Sequence, residues 1–291
     1  MNKNDLSYKN AYLPIEKSLW GGNRAKNQKR NNFLFTIITV VLNDKNNIEE
    51  TIKSVINQKK NLEYIIIDGG SKDGTVDIIK KYEEFIDLWV SQNDAGIYEA
   101  MNKGLTYASG KYVGIINSGD LYYENALNII EKYFVKKDNI DFIFGTVKKK
   151  KIKHGFYPKK IFWSFDFYPS HSSGFFIKNE AQKKLGLYDI SFKLSADHDL
   201  FYRMLKNKFR GVSTKKDELI GIFRKVNVSY SSTFSAEDHL NEEINIRLNH
   251  LQNKLLITII LINNFLRKFF KKKKYRISMK FLINKIFYVL K

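Results

Sequence analysis

Three carboxylates, Asp68, Asp94 and Asp120, each lie in a loop rich in Gly, Ser, Asn or Ala that follows a short apolar run. Asp120 closes the stretch KYVGIINSGD, residues 111–120, in which 112–116 has the Val and Ile content of a strand buried on both faces. In an open parallel α/β sheet, a carboxylate at a strand's carboxyl end stands beside the crevice where ligands bind. The chemistry open to it there is to hold a divalent cation against the phosphates of a nucleotide and so neutralise a leaving diphosphate. Asn, Ser, Gly and Asp also build ordinary turns, and a single Asp is a favoured helix cap. Asp73, before Gly74 and Thr75, is best read as such a cap. Loops from successive parallel strands converge on one sheet edge, however, and three acids there favour a common ligand. A further acidic pair, Asp197 and Asp199 around His198, opens a helical stripe of Leu200, Phe201, Met204 and Leu205, and Asp197 could equally be the cap of that helix.

The elements that position these residues are legible from periodicity. Residues 33–42 read as the first buried strand, and Ile48, Ile52, Val55 and Ile56 recur at helical spacing after it. Residues 62–67 form a second strand, followed by a helix with Val76, Ile79 and Phe85 on one stripe. A third strand spans 88–91, and the next helix turns Ile97, Met101, Leu105 and Ala108 inward. Four strands alternating with three helices predict a parallel sheet with right-handed crossovers. After Asp120 a helix (Ala126, Leu127, Ile130, Phe134) and a strand over 141–147 continue the pattern. The charge run 148–153 reads as a solvated edge or hairpin. Residues 156–173 pack seven aromatics around Pro158 and Pro169, 175–177 read as a strand, and 179–185 as a helix. The fold class expected is α/β, a mostly parallel sheet flanked by helices, with an N-terminal arm over 1–32 and a basic helical extension over 236–291.

Composition bounds the function. A chain of 291 residues, 43% hydrophobic, can bury a large core. It has no cysteine, so disulfides, thiolate zinc sites and a Cys nucleophile are excluded, and any metal must be held by oxygen or His. The N-terminus lacks the apolar core of a secretory signal, and no run of about 18 apolar residues occurs, which points to a cytoplasmic protein. The net charge of +20 calls for an anionic partner, and eleven Lys and Arg with no acid lie from Lys254 onward.

The order and spacing of several motifs resemble the inverting glycosyltransferases of family 2, which have a nucleotide-diphosphosugar transferase (GT-A-like) fold. FTIITVVLN resembles that family's first strand and nucleotide loop, and YIIIDGGSKDGT its uracil-binding segment. NDAGIYEAMNKGLTYASGKYVGIINSGD resembles its central signature, ending at the metal motif. HSSGFFIK, GLYD, SADHDL and FRKVNVS follow in the order seen among colanic acid and amylovoran transferases. The resemblance covers about 33–230 and implies a catalytic domain over 33–235, with a nucleotide half to residue 120 and an acceptor and base half from 121. It assigns Thr39, Val41, Asn43, Asp68, Ser71, Asp94, Gly96, Asn102 and Asn117 to the nucleotide, Asp120 to Mg²⁺ or Mn²⁺, and Asp197 to the catalytic base. His171 and Asp199 would face the acceptor or the diphosphate. Two positions depart from the family's pattern: Gly69 replaces the second acid of a pair, and Asn117 the first acid of the metal motif.

The function implied is transfer of a sugar from a nucleotide donor, a UDP-hexose or UDP-N-acetylhexosamine, to a glycan acceptor carried on undecaprenyl diphosphate. A nucleotidyltransferase would share the sheet but needs a Gly-rich basic loop after the first strand, and TVVLNDKNN has no Gly. A nucleic-acid-binding module would use the +20 charge, yet no stacking platform or helix-turn-helix is legible, so no nucleic-acid partner is expected. The tail interleaves LLITIILINNFL, broken at Asn263 and Asn264, with RKFFKKKKYR and FLINKIFYVLK. Such a pattern suits a peripheral position on the anionic inner face of the cytoplasmic membrane, or a helical pair packed on the domain.

Overall fold

The computed structural model describes residues 18–26, 32–137, 139–165, 167, 171–224, 234–270 and 278–291. After β1 (Leu19–Gly21) the chain runs β2 (Phe35–Val41), α1 (Ile48–Ile56), β3 (Leu62–Asp68), α2 (Thr75–Lys81), β4 (Leu88–Ser91), α3 (Ile97–Tyr107) and β5 (Tyr112–Asn117). β4, β3, β2 and β5 are parallel neighbours in that spatial order, and β1 lies antiparallel on the outside of β4. Successive side chains of a strand point to opposite faces, and both faces here are covered. Phe35, Ile37 and Val41 share one core with Ile52 and Val55 of α1, whereas Ile38 and Val40 share the other with Met101 and Leu105 of α3. Two covered faces are why these strands read as unbroken apolar runs. Phe85, expected on the stripe of α2, lies beyond it in a 3-10 turn and is exposed. Glu83 pins that turn by accepting from the Gly22 N–H at 3.0 Å and from Trp89 Nε1 at 3.1 Å.

Beyond Asp120 come β6 (Leu121–Tyr122), α4 (Ala126–Lys136), β7 (Phe142–Phe144), β8 (Thr146–Lys148), β9 (Ile152–Lys153), α5 (Pro158–Trp163), β10 (Phe175–Lys178), α6 (Asn179–Leu185), α7 (Ala196–Lys206), β11 (Gly211–Ser213) and β12 (Leu219–Ile222). β10 enters the main sheet antiparallel between β5 and β7, and β11 follows parallel to β7. A second sheet has the order β6, β12, β8, β9. The single strand expected over 141–147 is therefore two strands in different sheets. The break is at Gly145, whose N–H donates to Gly174 O at 2.6 Å and where a Cβ would come within 2.6 Å of Ile220 Cγ1. The run 148–153 forms the expected hairpin, β8 against β9. Of the aromatics in 156–173, Phe156 packs on Phe142 and Phe144, and Phe162 on Tyr202. Tyr168 and Pro169 lie outside the described residues, as do 225–229 of FRKVNVS and residues 1–17 of the arm.

The extension forms α8 (Ala236–Asn249), α9 (Lys254–Phe270) and α10 (Met279–Leu290). α8 starts from a capping box between Ser235 and Asp238. Leu240, Ile244, Ile257, Leu261, Phe265, Leu282 and Val289 make a core of their own with Phe165. α9 continues through Asn263 and Asn264, where the apolar run is interrupted, with Asn264 buried and its Oδ1 accepting from Arg267 at 3.3 Å. A buried Arg247 ties α8 to α5 by donating to Ser164 O at 2.7 Å and Ile161 O at 3.2 Å, its guanidinium 4.2 Å from the Phe165 ring centroid.

The N-terminal arm does more than extend the sheet. Glu63 of β3 is fully buried and accepts from Thr36 Oγ1 at 2.5 Å, from Ser109 N at 2.8 Å and from Ser109 Oγ at 2.7 Å. Its counter-ion is Arg24 of the arm. A buried carboxylate that loses its cation keeps its desolvation penalty, so Arg24→Met should destabilise the protein by about 2 kcal/mol in urea denaturation, and adding Glu63→Gln should recover part of that loss.

Candidate active site

The order of the parallel strands reverses between β2 and β5, with β3 and β4 on one side and β5 on the other. At such a switch point the loops leave in opposite directions and a crevice opens outside the carboxyl ends. Register puts Asp68 level with Val41 and Ser91, and Asn117 level with Val40, so the loops bearing Asp68, Asp94 and Asp120 leave one edge as expected.

The loop after β5 is held from several sides. The Ser118 N–H donates to Val40 O at 3.0 Å, the Gly119 N–H to Thr51 Oγ1 at 2.9 Å, and the Thr51 hydroxyl to Asp120 O at 2.9 Å. Asp120 is 2% exposed, and its Oδ1 accepts the Arg224 N–H at 3.2 Å. The Arg224 guanidinium donates to Gly119 O at 2.6 Å and pairs with Glu50. Because β10 runs antiparallel to β5, its start lies at β5's end, and His171 Nδ1 comes to 3.1 Å from Asp120 Oδ2. That contact lacks hydrogen-bond alignment, so Oδ2 is a buried carboxylate oxygen with no donor aimed at it, and Asn117 Oδ1 is in the same condition. An unsatisfied carboxylate oxygen beside an imidazole, with a second unsatisfied oxygen on Asn117 of the same loop, is a donor set that fits a hard divalent cation. Among the described residues no three of His, Asp and Glu converge on one point, so the chain would supply only part of the coordination.

On the nucleotide side the loops are tied to one another. Asp68 Oδ2 accepts from Gly70 N at 3.1 Å, Ser71 N at 2.9 Å and Ser91 Oγ at 2.6 Å, and its other oxygen takes the Ser71 hydroxyl. Asn43, at φ 48°, donates its N–H to Ser71 Oγ at 2.7 Å and accepts the Lys72 N–H at 2.8 Å. Gly69 stands where the resembled family has a second acid, and a Cβ there would lie 2.8 Å from Asp94 Oδ2. Asp94 occupies that space itself; its Oδ1 accepts the Gly96 N–H at 2.9 Å, and burial raises its pKa. Gly96 opens onto empty space, and Val41 is a buried wall.

Three predicted site residues turn their side chains elsewhere. Thr39 is fully buried and bonds Tyr64 Oη at 3.0 Å, inside the core. Asn102 is taken up by the backbone of Tyr188, donating to its O and accepting from its N at 2.9 Å each. Asp199 is buried on Arg203 and His250, 2.8 Å to each, and Arg203 also donates to Leu185 O and Leu187 O. Burial alone would raise the Asp199 carboxyl, but the His250 hydrogen bond and the Arg203 charge hold it below its usual value. Alternate positions of a helix point about 200° apart, which is why Asp197 escapes that network. Asp197, in the first turn of α7, accepts from Tyr98 Oη at 3.1 Å and from the His198 N–H at 2.9 Å. It keeps a partly accessible surface, yet protein packs around it closely enough that burial raises its pKa to about 6.

Sequence reasoning missed Arg224, Tyr98 and the inward lysines 149 and 153. Arg224 lies within a quoted motif, and Tyr98 follows the Gly96 loop, but neither spacing says what the side chain meets.

A family model, Glycosyl transferase family 2, matches residues 36–201, more than half of the chain. An uncharacterized glycosyltransferase of Rickettsia typhi is 30% identical over 200 residues, 60% of this chain and 59% of that one. The minor teichoic acid biosynthesis protein GgaB of Bacillus subtilis is 26% identical over 203 residues, 62% of this chain and 22% of that one. The chain thus spans less than two thirds of the length of either relative. Among solved structures, residues 1–349 of TarS from S. aureus in complex with UDP-GlcNAc superpose with a TM-score of 0.61 at 16% identity, covering 86% of this chain and 78% of that one. A likeness at that identity is one of fold, the mostly parallel α/β sheet flanked by helices.

Carboxyl NMR should place the Asp197 midpoint at about 6, and Tyr98→Phe, which removes a hydrogen bond to the carboxylate, should move it upward. The folded state holds this proton more tightly than the unfolded chain, so the group's contribution to stability should fall as pH rises from about 4 to about 6. A midpoint near 4 in the wild type would remove the premise that this carboxylate is enclosed.

Proposed function

The chain belongs to glycosyl transferase family 2, and on that premise we propose that it transfers a sugar from a nucleotide-diphosphate donor to a hydroxyl of a glycan acceptor, with inversion, in building a bacterial surface polysaccharide. The observation that carries this reading is the buried Asp120 carboxylate at the switch point, with one oxygen held by the Arg224 N–H and the other lacking an aligned donor. The donor is a UDP-hexose or UDP-N-acetylhexosamine, supported by the UDP-GlcNAc held by the TarS structure of like fold. The likeness to a teichoic acid biosynthesis protein supports a surface polymer, and the motifs favour the colanic acid and amylovoran type. The acceptor proposed is an oligosaccharide on undecaprenyl diphosphate. Residues 33–120 serve the nucleotide and 121–235 the base and acceptor.

Asp120, with Asn117 and His171 beside it, would hold Mg²⁺ or Mn²⁺, which when bound neutralises charge on the departing diphosphate. Asp68, Ser71, Asn43 and Asp94 form the wall for the nucleoside. Asp197 is the base: raised to about 6, it is ionised at neutral pH yet basic enough to take the acceptor hydroxyl's proton as that oxygen attacks. Titration calorimetry of the full chain with UDP, with and without Mn²⁺, tests the assignment. Asp120→Ala should lose the metal-dependent part of the affinity, whereas Asp197→Asn should keep it and lower turnover by about a hundredfold. Metal-dependent affinity surviving in Asp120→Ala would reduce the loop to a turn.

We further propose that residues 236–291 seat the enzyme on the inner face of the cytoplasmic membrane. Among the described residues no helix is long and apolar enough to cross a membrane. α9 exposes Leu255, Ile259, Ile262 and Leu266 along one stripe, and α10 exposes Met279, Ile283 and Phe287, while their other faces are buried against α8. An outward apolar stripe flanked by the cations of 267–276 suits the headgroup boundary of an anionic bilayer. Ile259→Ser with Phe287→Ser touches only that stripe, and should leave thermal stability within about 1 kcal/mol while abolishing sedimentation with anionic vesicles at low salt. Vesicle binding unchanged in the double variant would end the membrane reading.

A further inference from the structure

The hairpin of β8 and β9 carries five lysines between 148 and 153, and they are not equivalent. Lys148, Lys150 and Lys151 are exposed, whereas Lys149 and Lys153 turn inward and are half-buried. β8 runs parallel to β12 with Lys148 level with Ile222, and the Phe223 N–H donates to Lys148 O at 2.9 Å. That register sets Lys149 on Phe223, its Nζ 3.9 Å from the ring centroid. The same ring lies 4.6 Å from the His171 ring, and His171 abuts Asp120. Asp120 and Asp197 both act electrostatically on Lys149, and Asp197 also on Lys153. The hairpin therefore brings Lys149, through the Phe223 and His171 rings, to the Asp120 side of the site and within the field of both carboxylates, with Lys153 in the field of Asp197. Among the described residues, no carboxylate forms an ion pair with either lysine. Burial lowers the Lys149 pKa to about 8, with Lys153 adding to the fall and Asp120 and Asp197 opposing it, so the ammonium keeps most of its charge at neutral pH.

We propose that Lys149, with Lys153 behind it, is an anion subsite for the diphosphate of the nucleotide donor. This assignment rests on the transferase reading above. Half-buried cations without a bonded counter-ion gain most from a ligand that supplies several charged oxygens at once, as a diphosphate does. In the transfer, the acceptor oxygen bonds to the anomeric carbon and its proton passes to Asp197. The bond from that carbon to the diphosphate oxygen breaks, and its electron pair stays on the oxygen. Negative charge grows on the phosphoryl group in that step, and a fixed ammonium beside it stabilises the transition state more than the ground state. Phe223 holds the ammonium in place by a cation–π contact rather than by a carboxylate that would compete with the ligand.

Calorimetry of the full chain in saturating Mn²⁺, with UDP, UMP and inorganic pyrophosphate as probes, tests the subsite. Lys149→Met should weaken UDP and pyrophosphate about tenfold or more and UMP by less than about threefold, and Lys149→Arg should restore most of the loss. Unchanged UDP and pyrophosphate binding overturns the subsite, as does an equal loss for all three probes, which would mark a folding defect. A Lys149→Met enzyme with intact UDP binding and only a raised acceptor KM would give the subsite to the acceptor's diphosphate and overturn the donor assignment. Wild-type protein that binds pyrophosphate through Lys149 yet turns over no sugar nucleotide would support the subsite and sink the transferase reading.

Discussion

An acid buried at the end of β5 is the constraint on which the rest of the site depends. A carboxylate taken from water is tolerated only where donors or cations compensate it, and Asp120 has one backbone N–H, from Arg224, on one of its oxygens. To keep the other oxygen available, the surrounding chain must hold the loop without saturating the acid. Thr51 of α1 does so through backbone groups, bonding Gly119 N and Asp120 O. Arg224 reaches Gly119 O and Glu50 with its guanidinium instead of the carboxylate. A helix, an antiparallel insertion and a second sheet all meet at this loop.

The second sheet has its purpose here. β12 lies antiparallel to β6 and parallel to β8, so the residues leaving β12, Phe223 and Arg224, arrive beside Asp120 together with the β8–β9 hairpin. The crossing at Gly145 is what lets one stretch of chain serve both sheets. The positive charge of Lys149 is thereby set in the field of Asp120 and Asp197, and that of Lys153 in the field of Asp197, where partial burial strengthens each contribution.

The C-terminal helices satisfy two demands with one sequence. α9 and α10 bury one apolar face on α8 and Phe165 and leave a second apolar stripe outward. The buried Arg247 anchors that unit to the backbone at the end of α5, so an outward stripe is presented on a fixed base.

Much of the fold was readable because both faces of β2, β3 and β5 are covered: burial forces unbroken Val and Ile runs, and α1 and α3 show their single buried faces as a 3.6-residue period. The acids at strand ends were legible for the same reason, since parallel connectivity alone brings such loops to one edge. Periodicity cannot report what a side chain meets across the sheet. Gly145 reads as one more residue of a strand until Ile220 is packed against it, and no spacing says that the Thr39 hydroxyl meets Tyr64 or that the Asn102 amide meets the backbone of Tyr188. Asp197 and Asp199 differ in sequence by two places and in surroundings by the turn of a helix, one facing Tyr98 and the other Arg203 and His250. The lysines of 148–153 look alike as a solvated run. Only the register of β8 on β12 turns Lys149 and Lys153 inward, because contacts between strands far apart in sequence are fixed by packing and hydrogen bonding rather than by local propensity.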